Sequence, residues 1–328
     1  MADLQDGLQD GVIDSTARRA EAESDQVVAA DTGQVEEHIE LPSAGTRTKK
    51  PFGAMFWIAA TFLVLLALAA IFAELLPYDF DERFQNPETG RSITDEGPSL
   101  KHPLGTDGSG RDIFIRVIYG AQISLVIASV GATLALVFGG LIGLTAGYYR
   151  GRVDSIITTF TDATLVIPPL ILALSLILFL DNEAERRILI LIVVFVLLSL
   201  APITRVVRAS TLVWAEREFV LASKTMGARN GRIMFRDVLP NVAPALISYS
   251  LIIMAQLIVV EGAIAFVGLS VPPPTPTWGD MINKGRSDLG SVPHITMMPA
   301  MAMFLTVLAL NFIGDKLQER FEPRESVL

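Results

Sequence analysis

Two carboxylates stand inside strongly apolar stretches: Asp162, in the run that begins at Ile156, and Glu261, in the run that ends at Leu269. A carboxylate within a membrane has two uses: it relays protons or ions along a pathway, or it fastens helices together through hydrogen bonds. Gln256 shares the stretch of Glu261, and Pro168-Pro169 follow Asp162 by one to two turns. The two prolines remove two backbone donors, so their segment must kink or unwind where protein or water satisfies the freed groups. Asp162, Pro168, Gln256 and Glu261 are therefore the candidates for a translocation pathway. For Glu261 a water-lined face near the outer end and a helix-to-helix hydrogen bond stay open as equal readings. Asp162 is expected near the inner end of its segment or paired, because a mid-membrane charge costs roughly 2.5 to 3.5 kcal/mol on insertion scales.

A second polar cluster, His102 with Asp107 and Asp112, lacks the spacing of a metal site, and a satisfied structural histidine is expected there. No G-x-x-x-x-G-K-[ST] loop occurs to cradle ATP phosphates, and neither H-E-x-x-H nor G-x-S-x-G is present. With no cysteine, thiolate and disulfide chemistry are excluded. A non-catalytic conduit that binds no cofactor, metal or nucleic acid is the expectation, with any energy supplied by another subunit.

What must position these residues is a membrane bundle. The chain has 328 residues, 51% of them hydrophobic, and a mean hydropathy of +0.48, with the apolar residues in long blocks. The net charge of −9 is concentrated: residues 1–48 carry eleven Asp/Glu against three Arg. Residues 1–50 have too few large apolar groups to offset ordering entropy, so a disordered acidic tail is expected. The first apolar run is too long for a signal peptide, and Arg47, Lys49 and Lys50 beside it hold the N-terminus inside.

Six apolar segments follow: Ala54 to Leu76, Ile123 to Tyr149, Ile156 to Leu180, Ile188 to Thr204, Ala245 to Leu269 and Ile295 to Ile313. The first has 23 residues, enough at 1.5 Å each to cross roughly 30 Å of hydrocarbon. An all-α, six-span protein with both termini cytoplasmic results. The cations agree: Arg150, Arg152, seven Lys/Arg between Arg205 and Arg236, and Lys316, Arg320 and Arg324 fall on the inner side. The organisation is then a first span with an outer loop over 51–120, a core over 121–318 containing a cytoplasmic loop at 205–240, and a short tail over 319–328. In the outer loop, Asp112 to Tyr119 reads as an interfacial helix with Ile113, Phe114, Val117 and Ile118 against lipid headgroups. The later GLSVPPPTPTWGDM loop is stiff, and Trp278 suits the headgroup region.

Gly131, Ala135, Gly139, Gly143, Gly147 and Gly151 recur every four residues and lay a ridge of small side chains along one helix face. Packing within the subunit is at least as good a reading of it as a subunit interface. The cytoplasmic loop is helical on both sides of Gly227. Phe219, Ala222 and Met226 share one face of a short amphipathic helix, and Gly227 ends it in the left-handed conformation. Asn230 then caps a second helix carrying Ile233, Phe235 and Val238, which Pro240 stops. A short helix whose apolar side finds no cover in its own loop suits a groove on a partner.

This loop resembles the coupling motif of ABC importer permeases. Leu221, Ala222 and Ser223 stand at the Glu-Ala-Ala positions, followed by Gly227 and by Val238, Leu239 and Pro240. Leu221 and Ser223 depart from the family pattern, and Glu218, one turn earlier, supplies an acid on the same face. The stretches His102 to Asp107 and Gly110 to Asp112, and the Pro-Trp loop, are similar to those of the oligopeptide and dipeptide permease branch, and the resemblance covers about residues 50 to 325. It implies a type I ABC importer permease fold, a homologous permease as partner, two ATPase subunits holding ATP and Mg, and an extracytoplasmic substrate-binding protein. Glu218, Phe219, Leu221, Ala222, Ser223, Met226, Gly227, Ile233, Leu239 and Pro240 become the expected ATPase-coupling residues, and Asp162 a structural carboxylate. The implied cargo is a di- or oligopeptide, with nickel complexes or sugars as the alternatives that relatives suggest. An ion-coupled secondary transporter using Asp162 and Glu261 would need a second copy of the Pro168-Pro169 segment, and none is evident.

Overall fold

The computed structural model describes residues 52–180 and 184–321. The acidic tail at 1–50, its juxtamembrane cations and the last residues of the 319–328 tail lie outside the described residues.

Among the described residues nine helices carry the fold. They are α1 (Ala54–Ile71), α2 (Ile113–Tyr149), α3 (Gly151–Leu165), α4 (Pro169–Leu180), α5 (Ala184–Trp214), α6 (Glu218–Thr225), α7 (Asn230–Phe266), α8 (Trp278–Gly285) and α9 (His294–Phe321). Among the described residues there is no strand, only two isolated bridges, Gln85 with Ser92 and Thr106 with Asp112. Among the described residues five helices are long and apolar enough to cross a membrane alone; α3 and α4 meet at an angle of 83°. Contacts at both ends show that this bent pair is the sixth crossing. The start of α3 reaches the last turns of α5, where Arg208 Nη2 donates to Asp154 Oδ2 at 2.6 Å. After α4, the start of α5 lies at the opposite end, where Arg187 Nη1 donates to the Leu269 and Ser270 carbonyls at 3.2 and 3.3 Å. The chain has therefore traversed the bundle between Gly151 and Arg187. The bend follows from the prolines: Pro169 has no N–H for the Leu165 carbonyl, which is left for other partners.

Several elements differ from the expectation. Residues 113–119 do not lie flat as a separate interfacial helix; they are the first turns of α2, with Ile113, Val117 and Ile118 buried and Phe114 exposed. Asp112 starts α2 by accepting from the Phe114 and Ile115 amides at 2.7 and 3.2 Å, a strong N-cap. Gly120 does not interrupt the helix, because the room its missing side chain leaves is taken by Trp278; a Cβ there would stand 3.1 Å from the indole. Trp278 itself is fully buried, and its indole N–H donates to the Val117 carbonyl at 2.9 Å, so it is a core residue and not a headgroup anchor.

Pro240 does not stop a helix either. A π-helical turn at Ile233–Val238 precedes it, and the chain continues as one helix to Phe266. The wider turn accommodates a residue that cannot donate to the carbonyl four positions back. Asn230 is the first helical residue and Arg229 occupies the cap position. The Asn230 side chain turns instead to Tyr148, whose hydroxyl donates to its Oδ1 at 3.1 Å.

The small-residue ridge of α2 packs on α5 of the same chain as far as Gly147; Gly151 is not part of it, because the chain turns at Arg150 and Gly151 begins α3 at φ +58°. A Cβ on Gly143 would come within 2.5 Å of the Thr204 carbonyl, and one on Gly147 within 2.7 Å of Thr211 Cβ. Gly131 and Gly139 abut Phe195 and the Leu200 carbonyl in the same way, Ala135 is fully buried, and Thr204 Oγ1 donates to the Gly139 carbonyl at 3.2 Å. Lipid offers no hydrophobic reason for helices to associate, so this close backbone approach supplies the van der Waals contact that holds α2 to α5.

Candidate functional site

Two places gather the residues singled out by the sequence: the α6 segment, near the end of the bundle where α5 finishes, and the bend between α3 and α4.

At α6, Gly227 adopts φ +78°, the left-handed region that favours glycine. The Gly227 amide donates to the Lys224 carbonyl at 3.0 Å and the Ala228 amide to the Ser223 carbonyl at 3.1 Å, the paired bonds of a Schellman ending. The helix presents Glu218, Phe219, Leu221, Ala222 and Met226 to the outside, with Met226 at 79% exposure, while Val220 faces inward and is fully buried. Ser223 and Leu239 are half-buried and Pro240 is exposed. Ile233 is fully buried beneath the segment with Met234 and Val238, so it anchors the segment and offers no surface to a partner. The exposed apolar stripe Phe219, Ala222 and Met226 thus lies on a short helix whose opposite side is fixed to the bundle.

That fixation runs to the turn between α2 and α3, a feature not anticipated from the sequence. Arg150 pairs with Glu216 at 2.8 Å and donates to the Leu212 carbonyl at 3.2 Å, both just before α6. Lys224 of α6 sits 5.2 Å above the Tyr148 ring, and the Tyr148 hydroxyl reaches Asn230 beyond it. One turn, Tyr148 to Gly151, therefore touches the chain before, within and after α6. The signal in the sequence was the Tyr-Tyr-Arg-Gly run directly after the glycine ridge, which reads equally well as a membrane boundary.

At the bend, Arg205 donates to Asp162 Oδ1 at 2.6 Å, each side chain about half exposed. The parallel pair, Arg208 with Asp154, is more enclosed. Both tie α3 to α5. Beside them a cavity of about 200 Å³ is lined by residues including Ile167, Pro169, Ser199, Pro202 and Gln256. Of the four pathway candidates only Gln256 lines this cavity, with Pro169 beside Pro168; Asp162, Pro168 and Glu261 do not. Glu261 is 1% exposed and accepts from Ser270 Oγ at 2.6 Å and Ser124 Oγ at 3.4 Å, so of its two readings the helix-fastening one describes its place.

His102 behaves as the structural histidine expected: its Nδ1 lies 2.8 Å from Asp112 Oδ2 and its ring meets Phe84 edge-on. Asp107 is held by Arg111 at 2.8 Å. Among the described residues no group of three or more His, Cys, Asp or Glu is placed to hold a metal ion.

Comparison with known proteins gives a consistent pattern. Residues 139–327 match the family described as binding-protein-dependent transport system inner membrane component. The chain is 33% identical over 267 residues to the glutathione transport system permease protein GsiD of Pectobacterium atrosepticum, covering 81% of this chain and 86% of that one. It is 35% identical over 271 residues to the protein of the same name from Escherichia coli, covering 82% and 86%. Among solved structures, a chain of the MetNI methionine ABC transporter in inward-facing conformations matches with a TM-score of 0.52 and 18% identity, over 64% of this chain and 97% of that chain. The last likeness concerns the fold alone.

Proposed function

Because the chain belongs to the family of binding-protein-dependent transport system inner membrane components, and is thus a non-catalytic permease subunit of an ABC importer, we propose that α6 is the handle by which ATPase subunits drive it. On this reading the Gly227 end faces the cytoplasm, with both termini on that side, and the Trp278 end faces outward. The observation that carries it is the pairing of an exposed apolar stripe, Phe219, Ala222 and Met226, with a rigid Schellman turn at Gly227 and a buried underside at Val220 and Ile233. A helix so built can seat in a groove and transmit a push without bending.

The motion has three exits from α6: back into α5 through Trp214, forward into α7 through the π turn, and sideways through Tyr148 and Arg150 to the start of α3. Two ATPase subunits, holding ATP and Mg, would close on nucleotide and pull the α6 handles of this chain and a homologous permease. The bundle then alternates between inward and outward access. On this reading the bend at Pro168-Pro169 and the cavity lined by Gln256 form part of the route, with the Arg205–Asp162 pair holding α3 to α5 near it. A substrate-binding protein would deliver cargo at the Trp278 end.

The cargo we propose is a short peptide, glutathione-like or longer, on the strength of the GsiD relatives. Uptake of labelled di- and tripeptides into proteoliposomes containing the whole transporter and its binding protein tests this. ATP-dependent uptake of peptide supports it; uptake of a nickel complex or an oligosaccharide in its place overturns the peptide assignment while leaving the ATP-driven reading intact.

A further inference from the structure

Glu261 is buried among apolar helices, yet it sits at the centre of a polar knot drawn from four parts of the chain. Its Oε1 accepts from Ser270 Oγ at 2.6 Å, in the loop after α7, and its Oε2 from Ser124 Oγ at 3.4 Å, on α2. Ser270 Oγ is 3.2 Å from Thr277 Oγ1, the cap of α8, which accepts from the Asp280 amide at 3.1 Å. Ser124 Oγ in turn accepts from the Trp278 amide at 3.4 Å. The backbones are equally close: a Cβ on Gly279 would meet Ala265 Cβ at 2.6 Å and Glu261 Oε2 at 3.2 Å. The loop and α8 also meet α7 directly, the Leu269 amide donating to the Ile264 carbonyl at 3.1 Å and Asn283 Nδ2 to the Ala265 carbonyl at 3.1 Å, and the carboxylate adds the side-chain tie that takes in α2.

A carboxylate accepts only, and the surrounding Ser and Thr hydroxyls both donate and accept, so the knot closes around Glu261 and reopens without it. Stripping the acceptor leaves several hydroxyls unsatisfied in a water-poor setting. The cavity at Gln256 does not reach Glu261, which leaves the group no direct contact with cargo there.

We propose that Glu261 is a positioning residue: it fastens the proline loop of residues 269–277 and the start of α8 to α2 and α7, so that these parts of the Trp278 end move as one body during transport. The proposal rests on the transporter reading in its statement about transport, in the ATP and vanadate comparison and in its second test, but not in the comparison of variants without nucleotide. Since the chain has no cysteine, Val271→Cys, at a buried loop position, is a clean reporter of loop lifting. The purified transporter in nanodiscs, open to a maleimide from both faces, is labelled with and without ATP and vanadate. The reporter is expected to label slowly in both states, within about twofold of that rate with Glu261→Gln, and about tenfold faster with Glu261→Leu. Ser270→Ala, which removes one bond and spares the carboxylate, is expected to label about threefold faster and guards against a Leu variant that fails to fold. Equal labelling of the Gln and Leu variants, or rapid labelling of the parent on trapping, overturns the proposal. In the second test, transport per ATP hydrolysed falls severalfold for Leu and not for Gln; an unchanged yield in the Leu variant contradicts it. Should the parent complex hydrolyse no ATP, the transporter reading fails and the labelling result still decides the role of Glu261.

Discussion

The Tyr148 hydroxyl donates to Asn230 Oδ1 at 3.1 Å, joining the end of α2 to the start of α7 across the segment that contains α6. This bond makes the turn between α2 and α3 part of the handle's mounting, together with Arg150–Glu216 at 2.8 Å. Movement of α6 must be felt there as well as in the helices that precede and follow it.

Tyr148→Phe keeps the ring beneath Lys224 and removes only the hydroxyl, a loss of about 1 kcal/mol for one hydrogen bond. ATP hydrolysis by the complex is expected to persist while transport per ATP drops, and Arg150→Ala to add to the deficit. A double-mutant cycle on transport yield measures the coupling between the two positions. Strict additivity would show that the turn carries no shared load.

Gly227→Val places a β-branched side chain at φ +78°, where an L-residue loses about 1 to 2 kcal/mol. Nothing lies within 4 Å of the added Cβ, so the penalty is one of backbone conformation and not of collision. The expected outcome is normal abundance in the membrane with uptake reduced by about tenfold or more, and Gly227→Asn, which tolerates the left-handed region, close to the parent. Immunoblots and uptake assays on the same membranes decide it.

Two glycines of α2, three residues apart, make a matched pair for the packing ridge. Gly143→Ala must displace the Thr204 backbone carbonyl at 2.5 Å, whereas Gly140→Ala meets nothing within 4 Å. Overpacking of the first kind costs about 1 to 3 kcal/mol, so Gly143→Ala is expected to lower the melting temperature in detergent and Gly140→Ala to leave it unchanged or raise it. Equal melting of both would mean that α2 and α5 are not held at this distance.

Leu221→Glu introduces the residue the coupling motif carries at this position. Leu221 is half exposed on α6, so the carboxylate enters water at little cost. Co-purification with the ATPase is expected to be retained or strengthened, and loss of association would show that the motif has been laid on the helix in the wrong register.

Much of this was readable from the chain alone because long apolar runs, a four-residue glycine period and a glycine between two amphipathic stretches are local signals. The six crossings, the α2 ridge and the left-handed Gly227 belong to that class. What escaped depended on contacts distant in sequence. Trp278 looks like a headgroup anchor until Gly120, on another helix, is seen to leave room for its indole. Pro240 looks like a helix stop until a π turn relieves the strain before it, and Asn230 looks like a cap until Tyr148 claims its side chain. Glu261 was undecidable for the same reason: whether a carboxylate faces water or a knot of hydroxyls depends on Ser124 and Thr277, which periodicity does not bring near.

The central claim is that the exposed stripe of α6 sits in a groove of an ATPase subunit. A single cysteine at Ala222, in a chain with no other, gives a direct measurement: treat membranes holding the whole transporter with a short bismaleimide and identify what is attached. An adduct with an ATPase subunit is expected, formed at a rate that changes when ATP and vanadate trap the complex. Labelling of the same cysteine in intact cells by a membrane-impermeant reagent, with no ATPase adduct, would contradict it.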